Sequence, residues 1–120
     1  MVTQKQTIGK IGEKLACQYL EKNGYKIIQQ NYWEKWGEID IVAEKNKITF
    51  FVEVKTMRIF DSSELTPEDQ MSKSKISKFK KISQSYANYY KIENWQMNTI
   101  AIELDENNNL KNVRHWENIF

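Results

Sequence analysis

The sequence predicts an α/β fold, a central mixed sheet of five strands flanked by helices, in a single domain spanning residues 1–120. Two stretches carry apolar residues at helical spacing and five have strand character. They run in the order helix, three strands, helix, two strands. At 120 residues, with 40% hydrophobic and 28% charged side chains, the chain has the size and composition of a globular domain with a core of its own.

The first helix is read over residues 8–23, IGKIGEKLACQYLEKN. Ile8, Ile11, Leu15, Ala16, Tyr19 and Leu20 recur at helical intervals, and Asn23-Gly24 supplies a stop. YKIIQQNYW follows as a strand-like segment, with Asn31 opening a loop. EIDIVAEKNKITFFVEVKT reads as a long hairpin: Ile39, Ile41 and Ala43 alternate with Glu38, Asp40 and Val42, and Lys45-Asn46-Lys47 makes the turn. From Arg58 to Asp69 the residues are polar and include the only proline, Pro67, which marks a loop. In SKSKISKFKKISQSYANYYKI, the residues Ile76, Phe79, Ile82, Tyr86 and Tyr90 form one apolar stripe with lysines around the rest, a second helix. NTIAIEL reads as a strand, DENNN as a turn and LKNVRHW as a last strand.

Several function classes are disfavoured. No apolar run approaches the roughly 18 to 20 residues of a membrane span, and MVTQKQTIGKIGEK lacks the apolar core of a signal peptide. The single cysteine, Cys17, cannot form an internal disulfide, so a cytoplasmic location and a packing role are expected. His115 is the only histidine, which leaves no cluster for a zinc site. Glycines 9, 12, 24 and 37 build neither a P-loop nor a dinucleotide fingerprint. The net charge of +2 is unevenly spread: Lys73, Lys75, Lys78, Lys80, Lys81 and Lys91 lie in a stretch from Gln70 to Ile92 that contains no acid. A one-signed surface of this kind suits a polyanion, and it equally suits a solvated helix face.

The segment KITFFVEVKT carries the main chemical signal. Glu53 and Lys55 sit among Ile48, Phe50, Phe51, Val52 and Val54, and two charges in an apolar strand must be paired or put to use. Side chains two apart share a strand face, so Glu53 and Lys55 point the same way, together with Phe51. With the hairpin turning at or just after Asn46, Asp40 lies opposite Val52 or Glu53. Two carboxylates and a lysine gathered in this way can bind a hard divalent cation and orient or deprotonate a water that attacks a phosphodiester. A plain structural ion pair accounts for the same residues, and a Glu-x-Lys triplet alone is unspecific. Trp33 and Trp36 flank a charged pair just before Asp40. They can stack on exposed bases or serve as core or lid residues.

These residues also resemble a known family. Gly9 and Gly12-Glu13 in the first helix, Asn23-Gly24-Tyr25, Asn31, Gly37-Glu38-Ile39-Asp40, Phe51-Val52-Glu53-Val54-Lys55-Thr56 and Arg58 match the pattern of the YraN family of bacterial proteins. The match continues through Lys78 to the terminal HWENIF and covers nearly the whole chain. That family is placed in the restriction-endonuclease-like, or PD-(D/E)xK, superfamily and is similar to archaeal Holliday-junction resolvases. The resemblance implies a restriction-endonuclease-like fold, with Asp40 and Glu53 as metal ligands, Lys55 as the catalytic lysine and Glu13 lining the site. Glu38 and Lys78 are implied at its rim as supporting or phosphate-facing groups. Family members often carry an aspartate near the start of the strand at Asn98. This chain reads MNTIAI there, a departure that bears on a structural contact and not on the metal ligands. For Glu13 the alternative is a first-turn glutamate favoured by the helix dipole.

The expected function is a Mg²⁺- or Mn²⁺-dependent endonuclease acting on DNA, branched or structured DNA included. Asp40, Glu53, Lys55 and Glu13 would form its site, with Lys75, Lys78, Lys81, Arg58 and Trp36 contacting nucleic acid. A double cut by so small a domain needs two copies, which makes a homodimer a natural assembly. Two other readings stay open: a nucleic-acid binding module with this fold and little or no chemistry, and an interaction domain in which the charges only hold the hairpin together.

Overall fold

A computed structural model describes residues 3–58 and 72–118. The elements run α1 (Gln4–Lys22), β1 (Lys26–Glu34), β2 (Gly37–Lys45), β3 (Ile48–Arg58), α2 (Lys73–Tyr89), β4 (Trp95–Leu104) and β5 (Leu110–Trp116). This is the expected order, and the five strands form one sheet in the order β1-β2-β3-β4-β5. The sheet is mixed: β3 and β4 are parallel and joined through α2, while the other neighbouring pairs are antiparallel.

The helices cover opposite faces. Ala16, Cys17 and Leu20 of α1 pack with Ile41, Phe50, Val52, Ile100 and Ile102 of the sheet. Phe79, Ile82 and Tyr86 of α2 pack with Ile39, Val42, Phe51 and Met97. Strand side chains therefore feed two cores, one on each side of a sheet buried at its centre. On β2 the expected alternation breaks at Asp40, since Ile39 joins the α2 core while Ile41 and Ala43 join the α1 core. The fold is the α/β architecture with a central mixed five-stranded sheet and flanking helices that the restriction-endonuclease-like resemblance implied. Among the described residues no helix is long and apolar enough to cross a membrane.

Several boundaries differ from expectation. α1 starts earlier than residue 8, because Thr3 and Gln6 form a reciprocal capping box. Glu13 therefore lies well inside the helix, and the dipole argument for it falls away. Asn31 does not open a loop. It lies inside β1, where it takes a left-handed conformation (φ 53°) that asparagine tolerates better than most residues. Arg58 belongs to the end of β3, while the rest of the expected loop, Pro67 included, falls outside the described residues. The hairpin turn is as read: Asn46 (φ 53°) and Lys47 (φ 66°) are both left-handed, the signature of a two-residue primed turn.

The departure at Asn98 has a structural explanation. Its side chain is fully buried on β4, where Oδ1 accepts from the Asn118 backbone N–H at 2.9 Å and Nδ2 meets His115 Nε2 at 3.0 Å. The first bond fixes Nδ2 as a donor, so His115 Nε2 is an acceptor and its Nδ1–H donates to the Tyr19 hydroxyl at 3.1 Å. Burial, with a smaller contribution from Lys45, holds the His115 pKa below the ordinary histidine range. His115 is thus a packing residue that ties α1, β4 and β5 together.

Candidate functional site

The site forms where the hairpin strands part. The β2–β3 ladder runs from Lys45↔Ile48 to Ile41↔Val52 and goes no further. Continuing the register would set Asp40 beside Glu53, as expected. The Asp40 side chain instead takes over from the ladder: its Oδ2 accepts the Val54 backbone N–H at 2.8 Å. A carboxylate thereby satisfies a buried β3 donor that β2 no longer reaches.

Asp40 is only 5% exposed and lies in a crowd of acids. Burial, followed by repulsion from Glu53 and then Glu13 and Glu38, pushes its pKa up to about 8, against the lowering effect of the Val54 N–H. Near neutral pH Asp40 therefore holds a proton for much of the time. Glu13, half-buried on α1, also has a raised pKa, from burial and then from Glu38 and Glu53. A side-chain hydrogen bond with Asn31 partly offsets this. Asn31 is a site neighbour that sequence reasoning missed; its signal was an asparagine within an otherwise strand-like run.

Glu13 is brought close by Gly12. A Cβ on Gly12 would fall onto the Thr56 side chain of β3, so only glycine lets α1 settle this near the strand that carries Glu53 and Lys55. On β3 those two residues share a face and form an ion pair, Lys55 Nζ to Glu53 Oε1 at 3.0 Å, with both side chains partly open to solvent. They are paired in the central strand of the sheet, not on an edge.

Glu53 and Lys55 line an open cleft of about 280 Å³ together with Gly37 and Glu38 of β2 and Lys75, Lys78 and Phe79 of α2. Asp40 and Glu13 are not among its lining residues; Asp40 is buried, within electrostatic reach of Glu53 and Glu38. The lining carries Glu38, Glu53 and Lys55 from the strands, with Lys55 paired to Glu53, and Lys75 and Lys78 from α2. A second cleft, of about 650 Å³, is lined by Trp36, Lys78, Lys81, Gln84, Ser85 and Asn88. Sequence reasoning passed over Gln84, Ser85 and Asn88, although helical spacing from Lys78 and Lys81 puts them on the same side of α2. Arg58 lines neither cleft: its Nε donates to Asn108 Oδ1 at 2.8 Å, tying the end of β3 to the β4–β5 turn.

The donors available to a cation are carboxylate oxygens, which suits a hard ion. Among the described residues no three His, Cys, Asp or Glu side chains are grouped as a ready metal cage. Carboxylates such as those of Asp40 and Glu53 are the donor type of an ion that takes one or two carboxylates and keeps several waters, as Mg²⁺ does. Cys17 contributes nothing here: it is a buried free thiol whose pKa is pushed up to about 11, first by burial, and it is a poor nucleophile.

Residues 12–105 match the model of the uncharacterised protein family UPF0102. A UPF0102 protein of Caldanaerobacter subterraneus subsp. tengcongensis is 39% identical over 120 residues, covering 97% of this chain and 96% of that one. Another, from Fervidobacterium nodosum, is 36% identical over 110 residues, covering 91% of this chain and 78% of the relative. Among solved structures, a FdxN element excision controlling factor protein from Anabaena variabilis is similar at 13% identity with a TM-score of 0.37, covering 87% of this chain and 98% of that one. At that distance the likeness says nothing about chemistry.

Proposed function

The chain belongs to the UPF0102 (YraN) family, and from that premise and the chemistry of the cleft we propose a metal-dependent endonuclease that hydrolyses phosphodiester bonds in DNA, branched or structured DNA included. One observation carries the reading. A buried, crowded carboxylate, Asp40, lies within electrostatic reach of Glu53, which with Lys55 lines a cleft whose α2 wall carries Lys75 and Lys78.

In this reading Lys75 and Lys78 attract the nucleic-acid backbone and hold a phosphate beside Glu53 and Lys55 in the cleft. Asp40 and Glu53 would hold Mg²⁺ or Mn²⁺, with Asp40 giving up its proton first. When bound, the cation supplies charge neutralisation at the phosphate and a more acidic water. Lys55, already held at the site by Glu53, orients the attacking water and stabilises negative charge developing on the phosphate. Glu13 and Glu38 keep the local potential negative, which favours a divalent ion over an empty acidic cluster. A cytoplasmic location agrees with the free Cys17 thiol, and a double-strand cut would be made by two copies.

A second reading, a nucleic-acid binding module without catalysis, is favoured by one feature. Glu53 is already paired with Lys55, and Asp40 tends to keep its proton, so the two expected ligands carry little uncompensated charge in the free site. A metal-titrated cleavage assay on duplex, single-stranded and four-way-junction DNA separates the two. The proposal expects cleavage only with Mg²⁺ or Mn²⁺, lost in Lys55→Ala and Asp40→Asn while binding persists. Equal cleavage by wild type and Lys55→Ala, or binding without cleavage under every metal, overturns it.

A further inference from the structure

The second cleft lies against the candidate active site, and Lys78 lines both. Lys75, Lys78, Lys81, Ser85 and Asn88 recur at intervals of three and four, so they form one stripe along α2. From Lys75 to Asn88 that stripe is about 20 Å long at the helical rise per residue. Its character changes along the way. The part beside Glu53 and Lys55 is basic, and the part beyond Lys81 is neutral and polar, closed by Trp36 from the β1–β2 turn.

Trp36 is 44% exposed, a large aromatic surface that the core does not use. Gln84 Nε2 donates to Asn88 Oδ1 at 2.9 Å, which leaves Gln84 Oε1 as an acceptor and Asn88 Nδ2 as a donor. A cleft of about 650 Å³ is within the size range of small-ligand sites and has room for a nucleotide. An aromatic face beside a paired amide donor and acceptor is the equipment that receives a nucleobase by stacking and edge hydrogen bonds. A base paired and stacked inside a duplex cannot enter such a cleft; an unpaired one can.

We infer that the Trp36–α2 cleft is a subsite for one unpaired nucleotide of the strand whose neighbouring phosphate lies in the Glu53–Lys55 cleft. The inference rests on reading that cleft as a phosphodiester site, and it narrows the substrate to DNA with an unpaired base next to the cut, such as a flap, gap or branch. Lys75 and Lys78 hold the backbone of the strand, Lys81 follows it past the cut, and Trp36 takes the base.

The test is equilibrium binding in EDTA, so that no cleavage occurs. It uses fluorescently labelled duplex DNA and the same duplex carrying a short single-stranded flap with 2-aminopurine as its first unpaired base. Wild type is expected to bind the flap DNA more tightly and to quench 2-aminopurine. Trp36→Ala should weaken flap binding on the order of tenfold, in the range of a lost base–aromatic stack, while duplex affinity changes less than twofold. Trp36→Phe should recover most of the loss, and Trp33→Ala, which removes the more exposed indole outside the cleft, should change neither affinity. Equal weakening on both DNAs, no weakening on either, or the same loss from Trp33→Ala would overturn the subsite. The same DNAs in a parallel Mg²⁺ cleavage assay separate the two readings: flap discrimination in EDTA with no cleavage in Mg²⁺ sinks the nuclease reading and leaves the subsite standing, and cleavage in Mg²⁺ that is indifferent to Trp36→Ala does the reverse.

Discussion

Replacing Asp40 with asparagine should make the protein more stable, and increasingly so as pH rises. The carboxylate is buried among Glu53, Glu13 and Glu38, and its pKa is pushed up to about 8 from an ordinary value of 3.8. Because the folded value lies above the unfolded one, the folded chain keeps its proton where the unfolded chain has lost it. Below pH 3.8 both states are protonated and the effect is nil. Between there and about 8 the unfolded state binds fewer protons, so wild-type stability falls with rising pH, and above that range the penalty levels off. The slope is at most about 1.4 kcal/mol per pH unit. From pH 5 to pH 7 the ceiling is therefore about 3 kcal/mol, or roughly 10 °C in melting temperature for a domain of this size. The amide introduced by Asp40→Asn has no such titration, and its oxygen can still accept the Val54 N–H. Asp40→Ala cannot, and should be less stable than Asp40→Asn by about 1–3 kcal/mol throughout. Thermal melts of the three proteins at half-unit pH steps measure this. A gap between Asp40→Asn and wild type that stays constant or narrows as pH rises refutes the account of the crowded carboxylate.

Other consequences can be checked alongside. On the proposed metal site, added Mg²⁺ should raise the melting temperature of wild type above pH 7 and raise that of Asp40→Asn much less, since the variant keeps only the Glu53 carboxylate. Gly12→Ala should cost about 1–3 kcal/mol in urea denaturation, because the new methyl meets the Thr56 side chain. Lys78→Ala should weaken DNA binding and lower the slope of log affinity against log salt by about one, as for one lost phosphate contact. His115 should titrate by NMR below 6.5 in wild type, with stability lost as pH falls through that window, since the folded state binds the proton less readily. Asn98→Asp should move that titration upward by placing a carboxylate against Nε2.

What the sequence made legible was local. The hairpin turn followed from Lys45-Asn46-Lys47 standing between two apolar runs, and the neighbour relation of Asp40 and Glu53 followed from counting outward from it. The two helices followed from their apolar stripes. The start of α1 was misplaced because the reading began at Ile8, the first apolar residue. The Thr3–Gln6 capping box was written in the sequence but carries no hydrophobic signal. The place of Asn31 inside β1, the burial of Asp40 and the second cleft depend on contacts between distant segments. Nothing in the spacing of Asp40 says that the β2–β3 ladder stops at Ile41↔Val52, and nothing near Trp36 says that α2 docks beside it.

The point where β2 and β3 separate has a mechanical meaning. The hollow beside Glu53 exists because a zipper of backbone bonds halts partway, with one carboxylate standing in for the next tooth. The fork between the two strands is therefore held at its apex by one side chain. A residue at position 40 too short to reach Val54 would leave that buried N–H without its partner at the base of the fork.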